Sequence, residues 1–308
     1  MKKRILVLLI GLLLLLPGCD NRQRVGICLR DGQDPLTIQY CQALEQTLGG
    51  YAITVMDAGN DQSRQDRQVA QLLDEKVDIL ILEPVMISAL DNIAQQTGEE
   101  NVPVVFINRE PQTLWGDTCY VGCDGNQPGA VQAGMALDAD LNGDGILSYA
   151  YITGPEDHLD AQLRSNGCAQ ELMDAGIQAQ CLALEYTHWS REEGKQRCAA
   201  LLAKYGKDVE VIFCAGEELA LGAIDAIKDG GRTVGENVRL YSVGGGNQSL
   251  MLIRSGDLTG TVSEDIPKQM DRVLSAVQAL LAGQMPEEGG YVDYIPIDQA
   301  NVENYIAD

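Results

Sequence analysis

The stretch Asp140-Leu141-Asn142-Gly143-Asp144-Gly145-Ile146-Leu147-Ser148 puts oxygen-bearing side chains at its first, third, fifth and ninth positions, and glycine at its sixth. That spacing follows the calcium-binding loop, where a hard cation gathers oxygens and glycine permits the tight turn. The twelfth position is Tyr151, not the usual bidentate Glu. A further carboxylate must therefore come from elsewhere, or the stretch is a simple Asx-type turn. A second set, His158, Asp160 and Arg164, offers a planar donor fork, a carboxylate acceptor and an imidazole able to do either. Such groups suit hydroxyls and a ring oxygen. They also suit a plain helix start, with Asp160 as N-cap and Arg164 on a solvated face. Trp189, one of two tryptophans, follows His188 after an apolar run. There it is placed either to stack on an apolar ring face or to pack at an edge.

Catalysis has little support. There is no Walker loop and no Gly-x-Gly-x-x-Gly at the first strand, and Gly244-Gly245-Gly246-Asn247 lacks the nucleotide spacing. There is no Gly-x-Ser-x-Gly elbow, and the chain has two histidines with no visible nucleophile–base pair. The expectation is a binding protein and not an enzyme.

These residues sit among short β-rich runs alternating with helical stretches. Strands are expected at Arg24–Leu29, Ala52–Asp57, Ile79–Leu82 and Val104–Ile107, with helices at Leu36–Leu48, Arg64–Glu75 and Met86–Thr97. The alternation then restarts. Helices are expected at Gly129–Leu137, Ala161–Asp174, Glu192–Tyr205, Leu219–Ile227 and Leu250–Ser255. The strands between them are Leu147–Ile152, Gln180–Leu184, Val209–Cys214 and Leu240–Val243. Continuous Val- and Ile-rich runs separated by helices imply parallel sheets buried on both faces. The fold class is α/β: two doubly wound, Rossmann-like lobes. Ligands of such sheets lie beyond the carboxyl ends of the strands, which singles out Asp34, Asn108, His158, Asp160 and Arg164.

Lys2, Lys3 and Arg4 precede an apolar run from Ile5 to Leu16 that stops at Pro17-Gly18-Cys19. This describes an export signal, and the run is shorter than the ~20 residues that span a bilayer. Leu16-Pro17-Gly18-Cys19 resembles the lipobox of bacterial lipoproteins, in which the cysteine is acylated. Residues 1–18 are thus expected to be a lipoprotein signal peptide, and Cys19 the lipid attachment site on the extracytoplasmic face of the cell membrane. Without them the chain has 19 basic and 45 acidic residues, a net charge of −26. Phosphate backbones and anionic head groups repel such a surface, so nucleic acid is not an expected partner. The 290 residues from Cys19 onward exceed what one core usually serves. Of the eight later cysteines, Cys28, Cys181 and Cys214 lie in runs that look like buried strands, so free thiols acting as small hydrophobes are favoured over disulfides. Cys119-x-x-x-Cys123 has no second pair or nearby His to make a zinc site.

Several stretches together resemble the family of bacterial periplasmic galactose/glucose-binding proteins, the substrate-binding proteins of sugar ABC transporters. They are Asn60-Asp61-Gln62-Ser63, Asn101 through Pro111, the Asp140 loop, His158-Leu159-Asp160, Ile253-Arg254-Ser255-Gly256 and Gly260-Thr261-Val262. The resemblance covers nearly the whole chain after Cys19. It implies a type I periplasmic-binding fold, with three crossovers near Gly122–Asp124, Ser263–Asp265 and Val292–Ile295. The first lobe would comprise residues 20–122 plus 265–292, and the second 123–264 plus 293–308. It also implies a monomer whose lobes close on a sugar and deliver it to a permease. The alternative is a sensory protein presenting a different carbohydrate to a membrane sensor kinase or chemoreceptor.

The resemblance further implies a structural Ca²⁺ held by Asp140, Asn142, Asp144, Ile146 and Ser148, with Glu210 supplying the distant carboxylate. Ser148 stands where the family has Gln. Asp34, Asn108, His158, Asp160, Arg164 and Trp189 match family sugar-binding positions in kind. Leu36 replaces a stacking Phe, Gly216 an Asn, Gly244 an Asp, and Glu264 an Asn. Either Glu217, Glu218, Asn247 or Glu264 restores the lost contacts, or the two glycines leave room for a substituent or second ring.

Overall fold

The computed structural model describes residues 21–286 and 290–306. The expected signal peptide and Cys19 lie outside the described residues. Each half of the molecule is built by strands whose side chains are apolar on both faces, so helices must cover both. In the first half these are β1 (Arg24–Leu29), α1 (Pro35–Thr47), β2 (Ala52–Asp57), α2 (Gln62–Asp74), β3 (Ile79–Leu82), α3 (Asp91–Glu100), β4 (Val104–Ile107) and β5 (Thr118–Val121). They form a parallel sheet ordered β2-β1-β3-β4-β5. The order reverses between β1 and β3, and a crevice opens at the carboxyl ends of those strands.

The second half contains α4 (Gln127–Gly134), β6 (Leu147–Thr153), α5 (Leu159–Asp174), β7 (Ala179–Tyr186), α6 (Arg191–Tyr205), β8 (Val211–Cys214), α7 (Glu217–Asp229), β9 (Arg239–Val243), α8 (Asn247–Ser255) and β10 (Gly260–Ser263). Its sheet runs β11-β10-β9-β8-β6-β7, with β11 (Ile295–Asp298) antiparallel to β10. Between them, α9 (Ile266–Leu281) returns to the first half. Asp265 caps it, and Met270, Val273, Ala276, Val277 and Leu280 bury one stripe among Tyr40, Leu44 and the β1, β3 and β4 side chains. The chain therefore crosses between the lobes three times: after β5, after β10 and before β11. At the first and third crossings Gly122 bridges Tyr291, with Gly122 N–H bonding Gly290 and Val292 N–H bonding Gly122. The expected two-lobed α/β class with three crossovers is what the chain adopts.

Three local expectations need correction. The helix expected from Met86 starts only at Asp91. Two α2 side chains hold the intervening backbone instead: Gln65 Oε1 accepts from Val85 N–H and Gln62 Oε1 from Met86 N–H. Cys181, expected in a buried strand, is exposed, because β7 is an edge strand with one side uncovered. Strands β5, β10 and β11 and helix α9 were not among the expected elements. All eight cysteines from Cys28 on are unpaired, with Cys28, Cys168, Cys198 and Cys214 buried.

Candidate functional site

In the first lobe, the first polar residue after each buried strand gathers under the cleft. Glu83 follows β3 and is fully buried. Its carboxylate accepts from Asn108 Nδ2 at 2.6 Å, Thr37 Oγ1 at 3.1 Å and Arg30 N–H at 3.1 Å. The Arg30 guanidinium lies 3.7 Å from it at Nε and bonds Asp34 through Nη2 at 3.0 Å. Asp34 also caps α1, its Oδ1 accepting from Leu36 and Thr37 N–H. Asn108 sits at φ 60°, a left-handed conformation that Asn tolerates, and its amide nitrogen is committed to Glu83. Only one of its two amide N–H groups is used in this way, and that bond fixes the orientation of the amide. Arg109 anchors to the carbonyls of Pro84 and Val85. Burial and then the Arg30 charge hold its pKa below the usual guanidinium value, against the opposing pull of Asp160 and Glu83. Asp160, from the other lobe, thus acts electrostatically on the floor of the first.

In the second lobe, Trp189 is the centre. It adopts φ 65° beyond β7, and its ring lies so close to Gly154 that a Cβ there would overlap it. His158 meets the ring edge-on at 5.5 Å between centroids, and the Arg164 guanidinium lies 6.0 Å from it. Arg164 also donates to the Ala215 carbonyl at 2.5 Å. His158 heads α5 without a side-chain cap bond. Gly216 faces the same indole: its missing Cβ would stand 3.5 Å from Cε3 and Cζ3.

The space at Gly244 is not empty. A Cβ there would lie 2.9 Å from Glu217 Oε2, and one at Gly246 would lie 2.8 Å from both Glu217 carboxylate oxygens. Leu36, at the position of a stacking aromatic, packs against the first-lobe core.

Glu264 occupies the second crossover. It accepts from Tyr40 Oη at 2.6 Å and Gln269 Nε2 at 3.0 Å, with Tyr294 Oη at 3.5 Å. Burial, then Glu264 itself, raises the pKa of Tyr40 and of Tyr294 well above 10.0. With these three donors, Glu264 ties α1, α9 and the third crossover together.

The Asp140 loop closes on itself through side-chain oxygens. Asp140 accepts from Gly143 and Gly145 N–H, Asn142 from Asp144, and Asp144 from Ile146, all between 2.7 and 2.9 Å. Glu210, 1% exposed, lies beneath and accepts from Leu141, Asn142 and Ser148 N–H. The donors are all hard oxygens, the chemistry calcium takes. Among the described residues, however, no three Asp, Glu, His or Cys side chains converge as a metal centre. Glu210 would have to release backbone donors to chelate an ion.

The structure thus assembles Asp34 with Asn108 through Arg30 and Glu83, and His158 with Arg164 around Trp189. Asp160 acts across the cleft, while Glu264 stands at the hinge. Sequence reasoning missed Arg30, Glu83 and Arg109. Their signal was available: each is the first or second polar residue after an apolar strand run, where parallel sheets carry their sites.

The chain is 28% identical to the D-galactose/methyl-galactoside binding periplasmic protein of Haemophilus influenzae, covering 94% of this chain and 93% of that one. It is 25% identical to the ribose import binding protein of Bacillus subtilis, covering 86% and 88%. Among solved structures, a periplasmic ribose ABC transporter protein from Conexibacter woesei superposes with a TM-score of 0.81 at 20% identity, covering 92% and 94%. A solute-binding protein from Bacillus halodurans holding myo-inositol gives 0.74 at 23% identity, covering 94% and 99%. Residues 33–285 match the family described as periplasmic binding protein domain, so this chain is a member of that family, a binding protein and not an enzyme.

Proposed function

We propose that this chain captures a monosaccharide, a glucose- or galactose-like hexose, between its lobes and delivers it to an ABC sugar permease. The observation that carries the reading is the meeting of two kinds of group at the carboxyl ends of the two sheets. Asn108 Oδ1, Arg109 and Asp160 offer acceptors and donors to ring hydroxyls, and Trp189 offers a flat apolar face. A single ring is the simpler reading: the space that Gly244 leaves is taken by Glu217, which argues against a second sugar unit there. The galactoside- and ribose-binding relatives support the ligand class. The basic start, apolar run and Cys19 support export and lipid attachment outside the cytoplasm.

Calcium belongs to the same proposal. Asp140, Asn142, Asp144, the Ile146 carbonyl, Ser148 and Glu210 would hold it, and it would staple the loop to the base of β8. Thermal melts of the refolded chain from Asp20 onward against glucose, galactose, ribose and myo-inositol test the binding. Ligand at 100 times its Kd adds ~2.7 kcal/mol, a shift of several degrees. Galactose or glucose shifting the melt supports the hexose; no shift with any of them rejects it.

A further inference from the structure

We infer that Glu217 is a specificity-determining residue, the carboxylate that the second lobe turns to ligand hydroxyls in place of a side chain at position 244. The inference rests on the carbohydrate reading above and adds the residue that discriminates within it.

Gly244 directly follows β9 at the carboxyl edge of the sheet, beside the cleft. Its backbone is fixed on both sides: its N–H bonds the Val262 carbonyl at 2.8 Å, and its own carbonyl accepts from Thr261 Oγ1 at 3.0 Å. At φ 136° it holds a conformation that side-chain-bearing residues rarely adopt. No side chain can therefore grow from this strand end. Glu217, at the first turn of α7 on the neighbouring strand connection, reaches across instead. Its oxygens come within 2.9 Å of the absent Gly244 Cβ and accept from Gly246 N–H at 3.2 Å and Ser249 N–H at 3.3 Å.

Those two bonds are long for charge-assisted ones, and they use two of the carboxylate's roughly four lone-pair sites. Capacity remains for ligand hydroxyls, and Glu217 is only half-buried. Next to it, Gly216 opens onto the Trp189 face. A carboxylate beside an aromatic plane binds ring hydroxyls while the ring's apolar face stacks. The bland role for Glu217 is to cap α8, whose N-cap Gly246 has no side chain. The experiment must separate the two.

Glu217→Gln keeps the length and one acceptor oxygen but removes the charge. Glu217→Ala removes both functions. Glu217→Ala combined with Gly246→Ser returns only the cap: Gly246 has the extended φ −64°, ψ 153° of an N-cap, and a serine hydroxyl serves the third N–H of the helix. Ligand-free melting temperature and Kd are measured for wild type and all three variants, by calorimetry with galactose, glucose, ribose and myo-inositol. We expect Kd to rise about 10- to 100-fold in Glu217→Gln, as the loss of a charge-assisted contact predicts, with a smaller fall in melting than in Glu217→Ala, because Gln keeps one of the two acceptor oxygens. In the serine double variant the melting temperature recovers and the affinity does not. Recovery of both, or a Glu217→Gln affinity within about threefold of wild type, makes Glu217 a cap only and overturns the inference. Wild type that binds none of the four probes instead rejects the carbohydrate reading, and the assignment with it.

Discussion

Glu83 Oε1 and Asn108 Nδ2 lie 2.6 Å apart beneath the first-lobe floor, and the carboxylate is wholly buried. One amide N–H is spent on Glu83, and that bond fixes the orientation in which Asn108 presents its Oδ1 and its second N–H. Glu83→Gln loses an oxygen and presents an NH2 to groups that are themselves donors. Ligand-free stability is expected to fall by about 1–3 kcal/mol, seen as a lower melting temperature. Affinity is expected to fall about tenfold, as the Asn108 amide turns. In a double-mutant cycle with Asn108→Ala, calorimetry should find that Glu83→Gln costs no further affinity. Additive losses would mean that Glu83 acts elsewhere.

Trp189 carries the aromatic face of the second lobe and is flanked by His158 and Arg164. Trp189→Ala should weaken sugar binding at least tenfold, while Trp189→Phe retains part of it. Trp115, in contrast, packs edge-on against Phe106 at 5.2 Å in the first lobe. Any ligand-induced change in tryptophan fluorescence should therefore vanish in Trp189→Phe and persist in Trp115→Phe.

Glu210 is the single buried acceptor for three loop N–H groups. Calcium should raise the melting temperature of chelator-treated protein by several degrees, and Glu210→Gln should abolish that response while lowering the ligand-free melt. Galactose affinity is expected to change little on chelation, since the loop lies at the opposite end of β6 from the cleft. A melt indifferent to calcium would leave the loop a set of Asx turns held by Glu210.

Buried thiols, with buried tyrosines, should lower stability at alkaline pH. Burial raises the pKa of Cys28, and likewise of Cys198, from 9.0 to about 12. The folded pKa lies above the unfolded one, so the contribution is complete below pH 9 and is lost as pH rises toward 12. Melting temperature should be flat from pH 7 to 8.5 and fall beyond 9. In the native chain from Asp20, a thiol reagent should modify exposed Cys181 first, and Cys28, Cys168, Cys198 and Cys214 only on unfolding.

Eight of the eleven strands among the described residues, the two-lobed α/β class, a binding protein in place of an enzyme, and the family were legible in the sequence, because each follows from local periodicity or from contiguous motifs. Buried parallel strands announce themselves as unbroken apolar runs, as in Ile79–Leu82 and Val104–Ile107. Helix starts were less legible where tertiary contacts override propensity, as Gln62 and Gln65 do at Val85–Met86. The edge position of β7, which exposes Cys181, depends on strand order alone. So does the partnership of residues far apart in the chain. Glu83 with Arg30 and Asn108, Glu264 with Tyr40, and Glu217 in the space beside Gly244 are each made by side chains arriving from different strand ends. Sequence singled out Asp34, Asn108, His158, Asp160 and Arg164 as polar groups beyond the strand ends. Only tertiary structure decided which are spent on one another and which remain for a ligand, because a buried polar group must find its partners within the fold before it can serve anything outside it.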